Sequence, residues 1–231
     1  GEAFNLVPFA KLFRRVAPER AAWGFIGREH FGGEDDGDAQ AWVRDIAAQY
    51  IGELRSRQPD GPYVIVGACA GGNIAFEMAQ QLHAAGAAVE RLILMDVWHA
   101  GGRSVRRTRV RLGLGARTRA QRLHERLAIR GLDAADADPA SDALRASSRE
   151  TLERRYWLNQ YDPTPYPLPI ALLVNEAWHA ESATLGWDRV AAGGLEVIVM
   201  AGAHDTYLDE HFDDAVVRLR TLFASMAAAK P

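Results

Sequence analysis

A single cysteine lies in a glycine-rich segment whose spacing is typical of a reactive nucleophile. The segment reads Gly67-Ala68-Cys69-Ala70-Gly71, which is the G-x-S-x-G nucleophile elbow with cysteine in the serine position. In such an elbow the nucleophile lies on a sharp strand-to-helix turn, so its neighbours must be glycine or very small. The N-terminus of the following helix favours a thiolate and a developing oxyanion. The spacing predicts acyl transfer through sulfur, with the Ala70 N–H as one oxyanion donor; the alternative is a small, buried apolar cysteine.

A nucleophile of this kind needs a carboxylate and then a histidine later in the chain. Asp96 ends the apolar run RLILMD, and His204 lies in a glycine-flanked loop after the last apolar run. Because the carboxyl ends of parallel strands meet at one edge of a sheet, both side chains can reach the edge that carries Cys69. We expect His204 to take the Cys69 proton, or to form an ion pair with it, and Asp96 to fix the imidazole tautomer. Glu176, which follows the next apolar run, is the rival acid.

The elements that must position these residues alternate between short apolar strands and helices. Strands are predicted at 62–67, 91–96, 169–175 and 195–200, with a weaker one at 21–26. Helices are predicted at 40–54, 70–85 and 213–226, the last with Val217 and Phe223 facing inward. Short, continuously apolar strands separated by helices indicate an α/β fold, with a mostly parallel sheet flanked by helices and right-handed βαβ connections.

Residues 98–161 interrupt this alternation, because they are charged, helical in composition and lack a strand pattern. We interpret them as a helical lid insertion within a single domain that spans 1–231. Ten arginines lie in 103–130 against one acid, Glu125, which fits either a solvated pair of helices or a surface for an acidic partner or an anionic substrate. Four residues at the start of the insertion are candidates to contact substrate: Trp98, His99, Arg103 and Arg106.

Composition excludes several classes of protein. A chain of 231 residues with 48% hydrophobic and 25% charged residues is sufficient for one globular core. The net charge of -3 gives no overall attraction to nucleic acid or membrane, and the arginines are not interleaved with aromatic residues. No apolar run approaches the roughly 18 residues of a membrane span, and no secretory signal pattern is visible. We therefore expect a cytoplasmic protein with neither nucleic-acid nor membrane partners. One cysteine cannot form a thiolate metal cluster, and no metal site is predicted.

These segments together resemble the thioesterase domains that end nonribosomal peptide and polyketide synthetases, which have the α/β-hydrolase fold. GPYVIVGACAGGNIAFEMAQQL looks like the family's elbow and following helix, RLILMD like its acid strand, and AGAHDTYL like its histidine loop. The first residues resemble the segment just after the family's oxyanion loop. That alignment makes Gly1 the last glycine of the loop and a candidate for the oxyanion hole, and it implies a longer polypeptide whose first strand precedes this numbering.

The resemblance implies release of an acyl or peptidyl group from phosphopantetheine, with no bound cofactor and with a peptidyl carrier domain in the same polypeptide as partner. The departure from the family is Cys69, since most members use serine. An acyl-cysteine thioester stays activated and its thiolate leaves readily, which suits closure of a strained ring. Synthetase thioesterases that use cysteine include those releasing β-lactones and a monobactam β-lactam. We expect such a cyclisation in antibiotic biosynthesis; the alternatives are a hydrolytic thioesterase, a hydrolase resembling dienelactone hydrolase, or a non-catalytic binding module.

Overall fold

The computed structural model describes residues 6–25, 39–69, 71–99, 161–204 and 206–228. The strands in these ranges are β1 (Tyr63–Ala68), β2 (Val89–Met95), β3 (Ile170–Asn175) and β4 (Leu195–Met200). The helices are α1 (Val7–Val16), α2 (Ala39–Arg57), α3 (Gly71–Ala84), α4 (Glu176–Glu181) and α5 (Phe212–Ala228). The four strongly apolar runs that predicted strands are therefore strands, and the three predicted helices are α2, α3 and α5.

The strands form one parallel sheet in the order β1-β2-β3-β4. Ala68 is paired with Met95, and Met95 with Leu173, so the carboxyl ends of β1 and β2 lie level with each other and β3 runs two residues further, to Asn175. Asn175, at the end of β3, is paired with Met200 at the end of β4. The segments that follow all four strands therefore meet at one edge of the sheet, where open parallel sheets bind their ligands.

Helices cover both faces of the sheet. Alternate residues of the central strands point to opposite sides, so apolar side chains on each face need a helix layer to bury them. Leu92 and Leu94 of β2 face the layer formed by α2 and α3. Ile93 and Met95 of the same strand face the layer formed by α1 and α5. All four are completely buried, which explains why these strands are apolar without alternation. The predicted α/β architecture is confirmed.

Two expectations about individual elements are wrong. Residues 21–25, the described part of the predicted strand at 21–26, form no strand and are mostly exposed, with Trp23 49% exposed. Strand propensity acts through burial and pairing, and in this segment no residue is paired in the sheet and only Phe25 packs against the core. In α5, Val217 is 62% exposed, because it lies on the opposite side of the helix from the buried stripe. That stripe consists of Ala215, Val216, Leu219, Leu222 and Met226.

The predicted lid at 98–161 falls mostly outside the described residues, so the lid and the single-domain organisation stay predictions. The chain is described again from Tyr161, whose hydroxyl donates a hydrogen bond of 2.5 Å to Glu77 Oε2 of α3 in the buried interior. Over the described ranges, no helix is long and apolar enough to cross a membrane. In the same part of the chain, no three His, Cys, Asp or Glu side chains are grouped as metal ligands.

Candidate active site

Cys69 occupies a sharp turn between β1 and α3. Its φ of 49° is in the left-handed region that residues with a Cβ rarely adopt. The turn is fixed by backbone hydrogen bonds: the Cys69 N–H donates to the Met95 carbonyl at 3.0 Å, and the Cys69 carbonyl accepts from the Gly72 N–H at 3.2 Å. The residue is partly exposed. Backbone strain of this kind costs of order 1–3 kcal/mol and persists where packing enforces it.

Close packing around two glycines enforces this turn. A Cβ on Gly67 would lie 2.5 Å from the Ala75 Cβ, and a Cβ on Gly72 would lie 2.3 Å from the Val97 methyl groups. Within the described ranges nothing requires Gly71 to be small for steric reasons, since a Cβ there would meet none of their atoms within 4 Å. The motif therefore depends on Gly72, the glycine beyond the five-residue pattern, because Val97 of the neighbouring segment packs against it.

Asp96 follows β2 and is 1% exposed. It also has a left-handed φ, of 51°, and its N–H donates to the Leu173 carbonyl at 2.8 Å. Its carboxylate accepts two hydrogen bonds from Asn175, one from the backbone N–H to Oδ1 at 2.8 Å and one from the side-chain Nδ2 to Oδ2 at 2.9 Å. A buried carboxylate with this many donors is held in one orientation.

His204 lies between Asp96 and Cys69. Its Nδ1 is 3.1 Å from Asp96 Oδ2. The pKa of His204 is raised to about 9. The hydrogen bond with Asp96 is the largest cause and the hydrogen bond with Cys69 the second, and both outweigh burial, which lowers the pKa. An imidazole with this pKa holds a proton at neutral pH, which favours an imidazolium beside a Cys69 thiolate. The structure thus brings together the three residues that the sequence predicts as nucleophile, base and acid. Glu176, the rival acid, is exposed on the first turn of α4.

Aromatic side chains flank the imidazole. The Trp178 indole is stacked on the His204 ring, with a centroid separation of 4.4 Å and an interplanar angle of 15°. The Trp98 and Trp178 ring centroids are 6.0 Å apart. The Tyr207 ring, on the same loop as His204, has its centroid 6.3 Å from that of the imidazole. Burial raises the pKa of Tyr207 and keeps its hydroxyl neutral.

The loop that carries His204 is held by polar contacts. The Ala201 N–H donates to Asp214 Oδ2 at 3.0 Å, and the Ala203 N–H donates to Thr206 Oγ1 at 2.9 Å. Burial alone would raise the pKa of Asp214, but the hydrogen bonds from the Ala201 N–H and Arg218 lower it below its ordinary value. Asp214 therefore remains an anion and a good acceptor for the loop.

Two of the residues predicted to contact substrate are described, and they differ in accessibility. Trp98 is half-buried beside Trp178. His99 is only 2% exposed and packs edge-on against Trp187 at 5.0 Å, and burial lowers its pKa to about 4. His99 is thus a neutral core residue, a position that does not favour substrate contact. Four predicted residues lie outside the described ranges: Gly1, Ala70, Arg103 and Arg106.

Sequence reasoning missed Asn175 and Trp178. Asn175 ends the apolar run IALLVN, where a polar residue at a strand end is a signal for the functional edge of the sheet. Its side-chain oxygen also accepts the Trp178 N–H at 3.0 Å as the N-cap of α4. An asparagine just before a helix commonly accepts a hydrogen bond from the N–H of the third helical residue, so this link could have been predicted from the sequence. The contacts of Asn175 with Asp96 and of Trp178 with His204 could not have been predicted from the sequence.

Comparison with known proteins agrees with the fold. The Thioesterase domain family model matches residues 7–222, and the chain belongs to that family, whose members have the α/β-hydrolase fold. Membership indicates an enzyme that acts on acyl thioesters.

The chain is similar to segments of much larger synthases. Non-reducing polyketide synthase PKS1 of Zymoseptoria tritici is 33% identical over 193 residues, which are 72% of this chain and 8% of that protein. Gramicidin S synthase 2 of Brevibacillus brevis is 42% identical over 57 residues, which are 25% of this chain and 1% of that protein. The chain thus spans less than a tenth of the length of these relatives.

Solved structures include a similar thioesterase domain. The NocB thioesterase domain, in covalent complex with a fluorophosphonate nocardicin G analogue, is 26% identical, with a TM-score of 0.58 over 86% of this chain and 81% of that chain. A four-domain nonribosomal peptide synthetase shares the fold, with 22% identity and a TM-score of 0.54 over 86% of this chain and 17% of that chain.

Proposed function

We propose that this chain releases a carrier-bound acyl or peptidyl group through an acyl-Cys69 intermediate. The observation that carries the proposal is the hydrogen-bonded row of Cys69, His204 and Asp96 at the carboxyl edge of the sheet. Membership of the thioesterase family supports it. The three side chains come from segments after three different strands, which is the arrangement that nucleophilic catalysis on α/β sheets requires.

In the first step the Cys69 thiolate attacks the thioester carbonyl of the phosphopantetheine-tethered substrate. His204, protonated at neutral pH and held at Nδ1 by Asp96, keeps Nε2 available for the leaving group. The negative charge on the carbonyl oxygen is stabilised by the Ala70 N–H, with Gly1 as the second candidate donor. Collapse of the tetrahedral intermediate breaks the bond to the pantetheine sulfur, which leaves with the proton from His204. The products are the acyl-Cys69 thioester and the free carrier thiol.

The second step requires a nucleophile to attack this new thioester. His204 removes the proton of the incoming nucleophile, and the Cys69 thiolate is expelled. Exchange of one thioester for another is nearly neutral in energy, so the acyl group stays as activated as it was on the carrier. That property supports attack by a poor internal nucleophile that closes a strained β-lactam or β-lactone ring. Attack by water would give the hydrolytic alternative.

The partner that fits this reaction is a peptidyl carrier domain. The similar segments belong to synthases at least ten times longer than the aligned segment, and such synthases hand their products between domains on a carrier arm. We propose that the carrier belongs to the same polypeptide and that the reaction takes place in the cytoplasm without a bound cofactor. The arginines in 103–130 are candidates to hold an anionic substrate or an acidic carrier surface.

Product release from a synthetic pantetheine-linked peptidyl thioester tests this proposal. We expect release by the wild type, no release by Cys69→Ala, and slower release by Cys69→Ser, whose oxoester is less activated. Cyclised and hydrolysed products differ by one water, and isotopically labelled water enters only the hydrolysed one. Release by a folded Cys69→Ala variant at the wild-type rate would rule out an acyl-Cys69 intermediate.

A further inference from the structure

Four residues, His204 among them, form a closed ring of contacts that passes through the backbone and the indole of Trp178. Asp96 Oδ2 accepts from Asn175 Nδ2 at 2.9 Å, and Asn175 Oδ1 accepts from the Trp178 N–H at 3.0 Å. The Trp178 indole is stacked on His204 at 4.4 Å, and His204 Nδ1 returns to Asp96 Oδ2 at 3.1 Å. The ring joins segments after β2, β3 and β4, and two of its four members have no role in the proposed reaction.

Asn175 determines how the Asp96 carboxylate is presented. Its side chain is completely buried, and its backbone and side-chain donors engage the two oxygens separately, which prevents rotation of the carboxylate. Oδ2 is thereby left facing His204 Nδ1. Because the same amide also caps α4 through its oxygen, both ends of the Asn175 side chain are used, and its orientation cannot reverse without losing hydrogen bonds at both.

Trp178 determines the plane of the imidazole. A parallel stack at 4.4 Å and 15° places the negative face of the indole against the His204 ring. Such a face attracts a cationic ring more strongly than a neutral one. The stack therefore favours the imidazolium and holds its plane, so that Nε2 remains directed away from Asp96.

We propose that Asn175 and Trp178 are a pair of positioning residues that fix the His204 imidazolium between Asp96 and Cys69. The proposal rests on the proposed function, since it assigns these residues to the base of that reaction. Neither residue contacts the reacting atoms. Asn175 acts through Asp96, Trp178 acts through the face of His204, and the N-cap contact makes the two one unit.

Among the described residues, the titratable groups that face His204 are Asp96, Cys69 and Tyr207. Asp96 comes from the end of β2, Cys69 from the end of β1 and Tyr207 from the His204 loop itself. None of these is removed by a substitution at Trp178. A change in the His204 pKa on replacing the indole therefore reports on the stack.

The test is the His204 pKa of the 231-residue chain, measured by NMR of labelled histidine and assigned with His204→Asn. We expect Trp178→Leu and Trp178→Met to lower the pKa by roughly half a pH unit, about threefold in proton affinity, and Trp178→Phe to restore most of it. Trp23→Leu is the matched control, because Trp23 is also a partly exposed tryptophan beside a cation, Arg57. An unchanged His204 pKa in both folded non-aromatic variants would overturn the proposal.

A double-mutant cycle tests whether the two residues act as a pair. We expect Asn175→Ala and Trp178→Leu each to lower kcat with little change in KM, and the double variant to be no slower than the slower single variant. Fully additive losses would contradict the pair. The NMR measurement needs no turnover, so a chain that releases no acyl group but shows the pKa shift would refute the proposed function and leave the positioning intact.

Discussion

The turn that carries Cys69 and the loop that carries His204 are both closely packed, but side-chain acceptors also hold the loop. Besides its backbone hydrogen bonds, the Cys69 turn is held by shape, because Gly67 and Gly72 leave no room for a methyl group beside Ala75 and Val97. The His204 loop is crowded at Gly202, where a Cβ would lie 2.3 Å from the His211 ring, and it is held in addition by charged and polar acceptors. The difference teaches that the position of the nucleophile should depend mainly on side-chain volume, whereas the position of the base should depend also on side-chain hydrogen bonds and on pH.

The largest effect should come from the polar side of the comparison. Asp96→Asn keeps the size of the side chain but allows the amide to donate to His204 Nδ1, so that this nitrogen can no longer carry a proton and the imidazolium is lost. We expect acyl release to fall about 10³- to 10⁴-fold, with KM nearly unchanged, in a steady-state release assay. Thermal unfolding should show a folded variant. A folded Asp96→Asn enzyme within tenfold of wild type would mean that Asp96 does not orient the base.

The second effect should come from the steric side. Gly72→Ala places a methyl 2.3 Å from the Val97 methyl groups in the core, so we expect a loss of about 1–3 kcal/mol in the free energy of unfolding. Gly71→Ala is the matched control on the same helix, with no atom of the described residues within 4 Å of the added Cβ. It should be neutral or slightly stabilising, since alanine favours helix over glycine. Equal effects in denaturant titrations would contradict the steric account.

The pH dependence of stability should separate the two regions. The pKa of His204 is raised from 6.5 to about 9, so the folded state holds the proton more tightly. The stability from His204 is therefore complete below about pH 6.5 and lost as the pH rises through about 9. We expect the difference in unfolding free energy between wild type and His204→Gln to shrink from about pH 6 to about pH 9.5. The loss in Gly72→Ala should stay constant over the same range, and a His204→Gln difference that grows with pH would reverse this assignment.

The smallest effect should come from the anchor of the His204 loop. Asp214→Ala removes the acceptor of the Ala201 N–H and an ion pair with Arg218, so we expect a loss of about 1 kcal/mol in unfolding free energy. Asp213→Ala is the control at the neighbouring helix position, where the carboxylate is 84% exposed and pairs only at the surface with Arg15. It should change nothing measurable. Indistinguishable urea midpoints for the two variants would argue against Asp214 as an anchor.

Much of the fold was predictable because burial on both faces makes a strand apolar along its whole length. Leu92 to Met95 alternate between two core layers, so every position favours an apolar residue. Asp96 was predictable for the same reason, because a carboxylate that ends such a run must lie at the sheet edge. The weaker strand predicted at 21–26 is wrong over its described part, 21–25, because those residues are unpaired and all but Phe25 are exposed.

The rest depended on contacts between segments distant in the chain. The need for glycine at position 72 follows from where Val97 packs, and no local pattern records that contact. The prediction that Val217 faces inward is wrong because the buried face of α5 runs through Val216 and Leu219. Successive residues of a helix are about 100° apart, so an error of one position changes the face. The roles of Asn175 and Trp178 depend on Asp96 and His204, which reach them from other strands.

The central claim is that the Cys69 sulfur carries the acyl group, and an intact-mass spectrum tests it most directly. The chain is mixed with a pantetheine-linked acyl thioester and quenched in acid before the second step finishes. We predict a mass increase of one acyl group in the wild type, located on Cys69 by peptide mapping, and none in Cys69→Ala. An adduct on another residue, or product formed by the wild type at full rate with Cys69 alkylated, would contradict the account.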